Sequence, residues 1–175
     1  MRLAALVVAV GLLLASPLAG QAFPPPPVHR AAPGGTEIGL LGFGVRAGVD
    51  FAGRGQLVTG VTLDLGNLIV PRLRIRPSAE IGILNGANTY AGSFELLYHL
   101  TDDNTMAMPY AGGGVGLAGH AACGADAACP AVWVNLAVGI ALRYRSTFNW
   151  ILEYHAMDLF RHNRFYIGLT TRRGS

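Results

Sequence analysis

The sequence predicts an all-β fold: an eight-stranded antiparallel up-and-down transmembrane β-barrel, preceded by a signal peptide and a Pro-rich tether. From Glu37 onward, eight segments alternate apolar residues with small or charged ones at the period of a β-strand. Short turn-like stretches join the segments, as in antiparallel meanders. Apolar residues make up 51% of the chain and charged residues 13%, about half the usual charged share of a soluble domain.

The basic residues argue against a soluble protein and against a nucleic-acid-binding protein. All 13 of them are Arg, whereas a soluble surface normally also carries Lys. They are scattered at strand spacing and form no basic run, so nucleic acid is not an expected partner.

The N-terminus has the pattern of an export signal. Met1 and Arg2 precede the apolar run LAALVVAVGLLLA, and small residues follow up to Ala22. A membrane anchor helix is the alternative, but the run is short and Pro17 interrupts it. We therefore predict a signal peptide over 1–22, a flexible Pro/Gly-rich segment over 23–36 and a β-barrel domain over 37–175.

The barrel domain is predicted to contain eight strands, each bounded by turn-like residues such as AGRG, NGAN and TDDNTM. Eight antiparallel strands joined by short links can close into a small barrel. The predicted strands cover roughly 38–51, 56–66, 72–85, 89–100, 108–119, 131–145, 147–158 and 164–173.

The stretch PRLRIRPSAEIGIL shows why the direction of each face matters. Arg72, Arg74 and Arg76 share one parity, and Leu73 and Ile75 share the other. A soluble lipocalin-like barrel would turn the apolar parity inward, and a membrane barrel would turn it toward lipid. The ionic parity is mostly Gly, Ala and Ser with few charges, which suits a narrow lumen better than a soluble surface. The apolar side chains are also too bulky to fit together inside an eight-stranded barrel, so we favour the membrane barrel.

The charged residues of the inward parity are predicted to form a luminal ionic network. Because buried charges must pair or be hydrated, a structural salt-bridge plug is favoured over a narrow pore lined by Arg. The predicted members are Arg46, Asp50, Asp64, Arg72, Arg74, Arg76, Glu80, Glu95, His99, Arg143, Arg145, Glu153, His155 and Arg164.

Aromatic residues of the apolar parity are spaced as in a membrane girdle. Tyr90 and Tyr98 are separated by roughly 20 Å along the membrane normal in a tilted strand, close to the height of an outer-membrane apolar band. Ordinary core aromatics at strand period are the alternative. The predicted girdle comprises Phe43, Phe51, Tyr90, Tyr98, Tyr144, Phe148, Trp150 and Phe165.

Cys123 and Cys129 lie in the small-residue loop HAACGADAACP. In an exported protein, two cysteines this close in a loop are expected to form a disulfide. Free thiols and a metal site are the alternatives, but a metal would need further ligands and only His120 is near in sequence.

Residues 37–173 resemble the small eight-stranded outer-membrane barrels of the OmpA/OmpX type, notably in PYAGGGVGLAGH and GFGVRAGVDF. The resemblance implies that both termini face the periplasm. It also implies that the loops near 52–55, 86–88, 120–130 and 159–163 face outward. Members of this group tend to end on an aromatic residue, whereas this chain ends TTRRGS.

A second segment, LEYHAMDLFRHNRFYIGLTT, resembles the lipid A deacylase barrels of the PagL type. These enzymes place a catalytic Ser two residues from a His, but the residue two after His155 is Met157, and Ser146 is nine residues away. No catalytic residue is therefore predicted. His99, His120 and His162 show no metal-ligand spacing, and no metal or cofactor is expected.

The predicted function is structural or interactive, in the outer membrane of a bacterial envelope and without enzymatic activity. Expected partners are outer-membrane lipid and other envelope proteins, with the chain itself a monomer. The alternatives are a narrow anion-preferring channel, a lipid A-modifying enzyme of the PagL type, and a soluble periplasmic lipocalin-like binder.

Overall fold

A computed structural model describes residues 36–51, 55–83, 88–103, 105–123 and 129–173. The predicted signal peptide (1–22) and residues 23–35 of the predicted tether lie outside these ranges. Among the residues described, no helix is long and apolar enough to cross a membrane.

Eight strands form a single closed antiparallel barrel in which each strand pairs with its neighbours in the chain and β8 pairs with β1. The predicted fold class is confirmed, and the predicted strand ends differ from the observed ones by no more than two residues. The strands are β1 (Glu37–Asp50), β2 (Gln56–Asn67), β3 (Leu73–Ile83), β4 (Thr89–His99), β5 (Ala107–His120), β6 (Ala131–Arg143), β7 (Phe148–Met157) and β8 (His162–Thr171).

Closure satisfies the backbone of a sheet that would otherwise have two open edges. The seam between β1 and β8 runs in continuous register from Gly44 opposite Thr170 to Asp50 opposite Arg164. In a lipid environment only such a closed ladder pairs every strand amide without water.

The two faces of the sheet have opposite chemistry. Large apolar side chains point outward along every strand, as Val138 in β6 and Phe94 in β4 do. Charged side chains are buried inside, and Glu95 and Glu153 are excluded from solvent almost completely. This inverts the arrangement of a soluble protein and rules out the lipocalin-like orientation for the described barrel.

One irregularity interrupts the ladder between β2 and β3. The pairing shifts between Thr62 and Asn67, and Gly66 adopts a φ of 108°. A side chain at Gly66 would collide with the carbonyl of Glu37, so glycine is required there. The bulge also lets the amide of Gly66 donate to the carboxylate of Asp64 at 3.0 Å.

The barrel has two distinguishable ends. The terminal end carries the start of β1, the end of β8 and the turns β2–β3, β4–β5 and β6–β7. The loop end carries the other four connections, including the β7–β8 turn Asp158–Arg161. Inside the barrel, charged residues occupy the middle, and an apolar group of Leu97, Met108, Ala141 and Ile151 lies nearer the terminal end.

Candidate functional site

The middle of the lumen holds a dense set of buried ionic and polar side chains, which we term the central cluster. Its members come from seven of the eight strands because the inward parity of each of these strands brings one to three polar residues to the middle of the barrel. The central cluster comprises Arg46, Arg76, Ser78, Glu80, Glu95, Tyr110, Asn135, Glu153, His155, Arg164 and Tyr166.

Arg46 of β1 joins opposite walls of the barrel. One of its terminal nitrogens donates to Glu153 Oε2 at 2.6 Å, and the other contacts Glu80 Oε1. The same guanidinium also donates to Ser78 Oγ at 3.1 Å and lies over the ring of Tyr166, 4.6 Å from its centroid. These contacts link β1, β3, β7 and β8 through one side chain.

Arg76 of β3 forms a second bridge. Its Nε donates to Glu95 Oε2 at 2.9 Å, and its Nη1 contacts Glu153 Oε1. The hydroxyl of Tyr110 donates to the same oxygen of Glu153. Glu153 thus accepts from Arg46, Arg76 and Tyr110, which come from three different strands.

Toward the loop end the network continues through Arg164. Its Nε donates to Asp50 Oδ2 at 2.8 Å and its Nη1 to Glu80 Oε2 at 2.7 Å. The hydroxyl of Tyr166 also donates to Glu80 Oε2 at 2.8 Å. Glu80 therefore accepts from both Arg46 and Arg164, and Arg164 connects it to Asp50 nearer the loop end.

Near the loop-end mouth, an aromatic pair covers these charges. The rings of Trp133 and His162 stack with centroids 4.5 Å apart, and His162 Nδ1 lies 3.2 Å from Asp50 Oδ2. Trp133 is one of the apolar residues on the ionic parity. Its inward position gives the mouth an aromatic cover.

The electrostatics of the lumen depend on mutual pairing. Three buried guanidinium groups (Arg46, Arg76, Arg164) face four carboxylates (Asp50, Glu80, Glu95, Glu153), and the imidazole of His155 lies 3.5 Å from Glu95 and 3.1 Å from Glu153. Burying such charges is costly unless each is paired. In this cluster each of the three guanidinium groups lies beside at least one carboxylate.

A second ionic group lies at the terminal end. Arg173 donates from Nε to Asp64 Oδ2 at 2.6 Å and also bonds Asn67. Arg74 pairs with Asp103 and approaches Asp64 at 3.8 Å. Arg74 and Asp64 were predicted to face the lumen and do, but they pair here, apart from the central cluster.

Four other predicted network residues also lie toward or beyond the terminal end. Arg72 precedes the first residue of β3 and pairs with exposed Asp102, whose hydrogen bond raises the pKa of Arg72. Arg145 follows β6, is exposed and lies over the ring of Tyr144. For Arg72 and Arg145 the luminal prediction is wrong, because parity fixes a side chain's direction only while the chain remains in the ladder.

The remaining two residues, Arg143 and His99, contact the lumen without joining the ionic network. Arg143, the last residue of β6, is half-buried and donates to the carbonyl of Asp103 at 3.1 Å. His99 is buried and stacks on Tyr110, with ring centroids 5.1 Å apart. Both reach the lumen, but neither forms an ion pair among the contacts found in the described chain.

The prediction missed several residues that complete the network. Tyr110, Tyr166 and Asn135 each donate a side-chain hydrogen bond to a buried carboxylate. Tyr166 was detectable, because it shares its parity with Arg164, and a Tyr buried in a narrow lumen needs a polar partner. Arg173 lies two residues beyond the end of β8, so the strand pattern could not assign its direction.

Every residue of the predicted aromatic girdle is exposed on the outside of the barrel. Phe51, Tyr90 and Phe165 lie near the loop end, as does Tyr154, which the prediction omitted. Near the terminal end are Phe43, Tyr98, Tyr144, Phe148 and Trp150.

The structure contains the predicted disulfide between Cys123 and Cys129. Within the described ranges, no group of three or more His, Cys, Asp or Glu side chains could hold a metal ion. His155 contacts carboxylates in the lumen, while Ser146 lies exposed in the turn between β6 and β7 at the terminal end.

Comparison with known proteins identifies the fold. No family model matches the sequence, and no curated protein matches it. The solved structures that are similar to the barrel include two proteins. The N-terminal β-barrel domain of Pseudomonas aeruginosa OprF aligns with a TM-score of 0.57 at 11% identity, covering 76% of this chain and 98% of that one. Neisserial surface protein A aligns with a TM-score of 0.55 at 9% identity, covering 75% and 94%.

Proposed function

We propose that this chain is an outer-membrane β-barrel with a structural or interaction role in the cell envelope, its lumen sealed by Arg–carboxylate pairs. The observation that carries the proposal is the central position of Arg46, bonded to Glu80 and Glu153 with all three side chains excluded from solvent. A guanidinium held between two walls occupies the space through which ions would pass.

The outer surface supports a membrane location. Outward side chains such as Val132, Val138 and Ile167 leave at least half of their surface exposed. Soluble monomers rarely present continuous apolar surface around their whole circumference. Lipid is therefore the proposed partner of this face, and the girdle aromatics would mark its two borders.

The site chemistry supports a non-enzymatic role. His155 is held by Glu153 and Glu95 within the sealed lumen, where a lipid acyl ester in the membrane would not reach it. The two similar structures are barrels of the same architecture, which supports the proposed class without specifying a task.

Location and folding can be tested together. The chain expressed in a Gram-negative host should pellet with the outer-membrane fraction and migrate faster on gels when unheated than when boiled. Recovery in the soluble periplasmic fraction would contradict the proposed membrane location.

The seal is tested by conductance. The purified protein in a planar bilayer should show no current steps, whereas Arg46→Ala combined with Glu153→Ala should conduct because it removes the central bridge. Arg72→Ala combined with Asp102→Ala is the matched control, since it deletes an exposed pair outside the lumen. Regular anion-selective steps from the unaltered protein would favour the narrow channel instead.

A further inference from the structure

A cavity of about 120 Å³ opens inside the terminal end of the barrel, beneath the apolar part of the lumen. One water molecule needs about 10–15 Å³ of such space, so the cavity is large enough for a small organic molecule. The cavity adjoins the central cluster at Arg76 and Tyr110, which line its inner end.

One wall of this cavity is apolar. It is built by Leu97, Met108, Ala141 and Ile151, all of which are buried and packed against one another. These residues are on the inward parity of β4, β5, β6 and β7, so the barrel itself holds the wall rigid. An apolar surface of this kind favours a compact hydrocarbon or aromatic body over water.

The opposite wall is ionic and has excess positive charge. Among the described residues, Arg74, Arg172 and Arg173 line it together with two carboxylates, Asp64 and Asp103, which pair with Arg173 and Arg74 respectively. With Arg76 committed to the central cluster, the charge facing the cavity still favours an anion. Planar guanidinium groups match the geometry of a carboxylate.

Residues around the cavity also have unmet hydrogen-bonding capacity. Arg74 Nε, His99 Nδ1 and Asn149 Oδ1 are buried without a hydrogen-bond partner among the described residues, and all three side chains line the cavity. Buried polar atoms of this kind cost free energy until a partner supplies the bond. A small rotation of Arg74 would present its Nε–H donor to a carboxylate, whereas Asn149 Oδ1 is an acceptor and would need a donor from the ligand or from water.

We propose that the terminal-end cavity binds a small carboxylate with a compact apolar body, such as an aromatic acid. The carboxylate contacts Arg74 and the neighbouring arginines, and the apolar body packs against Met108 and Ala141. The cavity shares Arg76 and Tyr110 with the central cluster, but the proposed contacts use other residues, so the proposal stands even if the barrel conducts ions.

The test uses the full barrel refolded in a non-ionic detergent, with benzoate as the probe at pH 7. Calorimetry should show saturable binding. In methyl NMR spectra the Met108 methyl should shift, while that of Met157, buried at the other end, should not. Acetate, which lacks the apolar body, and benzamide, which lacks the charge, should each bind at least about tenfold more weakly.

Two substitutions probe the two walls separately. Arg74→Gln should weaken benzoate binding by about tenfold or more through loss of a charged contact. Ala141→Leu should abolish binding by filling the apolar side. Arg72→Gln is the matched control, because it removes the same charge from the same end but outside the cavity.

Absence of saturable benzoate binding would overturn the proposal, as would equal binding of acetate. Equal loss in Arg72→Gln and Arg74→Gln would reduce the effect to surface attraction of anions and also overturn it. If Arg74→Gln does not fold, as judged by heat-modifiable migration, Ala141→Leu decides: unchanged affinity in that variant would refute the assigned position.

Discussion

Arg46 and Glu153 are separated by 107 residues, yet their side chains meet at 2.6 Å in the centre of the lumen with both excluded from solvent. The pair joins β1 to β7, strands that are not neighbours in the sheet. It therefore braces the barrel across its interior, in addition to the ladder that closes its wall.

Glu153→Gln should destabilise the barrel by about 1.5–3 kcal/mol, because it keeps the shape but removes one of the two carboxylate partners of Arg46 and of Arg76, which retain Glu80 and Glu95. The measurement is urea unfolding from lipid vesicles, followed by the fluorescence of Trp133 and Trp150. Asp102→Asn, in the exposed pair with Arg72, should change the free energy of unfolding by at most about 1 kcal/mol. Equal effects of the two substitutions would show that the central cluster does not stabilise the fold.

Gly139→Ala should destabilise the barrel by about 1–3 kcal/mol through steric overlap. A methyl group at Gly139 would lie 2.6 Å from the ring of Tyr110, whose hydroxyl is bonded to Glu153, so the ring would have to leave that carboxylate. Gly92→Ala is the control, since its nearest neighbour would be an ordinary 3.9 Å away. The same unfolding assay applies, and a neutral Gly139→Ala would mean that the position of Tyr110 is not fixed.

Leu136→Arg should cost about 2–4 kcal/mol in a bilayer, because Leu136 lies on the outer face in the middle of β6. Leu159→Arg, at the exposed tip of the β7–β8 turn, should be close to neutral. Unfolding from vesicles gives both values. A neutral Leu136→Arg would be incompatible with hydrocarbon around the barrel.

Leu159→Gly should stabilise the barrel by about 1 kcal/mol, because Leu159 has a φ of 54° that costs a branched side chain conformational energy and glycine nothing. Asp158 and Phe160 flank it with φ values of 49° and 67°, so the turn holds three residues in this region. Leu117→Gly, within β5, should have the opposite sign, since glycine weakens a strand. Loss of stability in both variants would refute the strain argument.

The architecture could be predicted from the sequence because the alternation that marks a strand depends only on neighbouring residues. Alternation located all eight strands and separated lipid-facing Phe94 from luminal Glu95 without any knowledge of partners. The same rule failed at Arg72, just before the first residue of β3, and at Arg145, beyond the end of β6, because parity no longer sets direction where the chain turns.

The sequence predicted which residues face the lumen but not which of them pair with one another. Parity placed Arg74 and Arg76 on the same face, but Arg76 joins the central cluster while Arg74 pairs with Asp103 at the terminal end. The two arginines differ in height along the barrel axis by only two residues. Which carboxylate each one meets depends on how far neighbouring strands are staggered.

By itself, the sequence determined that this chain forms strands, how many, and which side of each carries charge, since each of these follows from a period of two. Only the tertiary structure decided that Arg46 meets Glu80 and Glu153, that Tyr166 completes the network, and that a cavity remains below Met108. Those contacts arise from barrel closure and strand stagger, which bring together residues far apart in the chain at a height that no local pattern records.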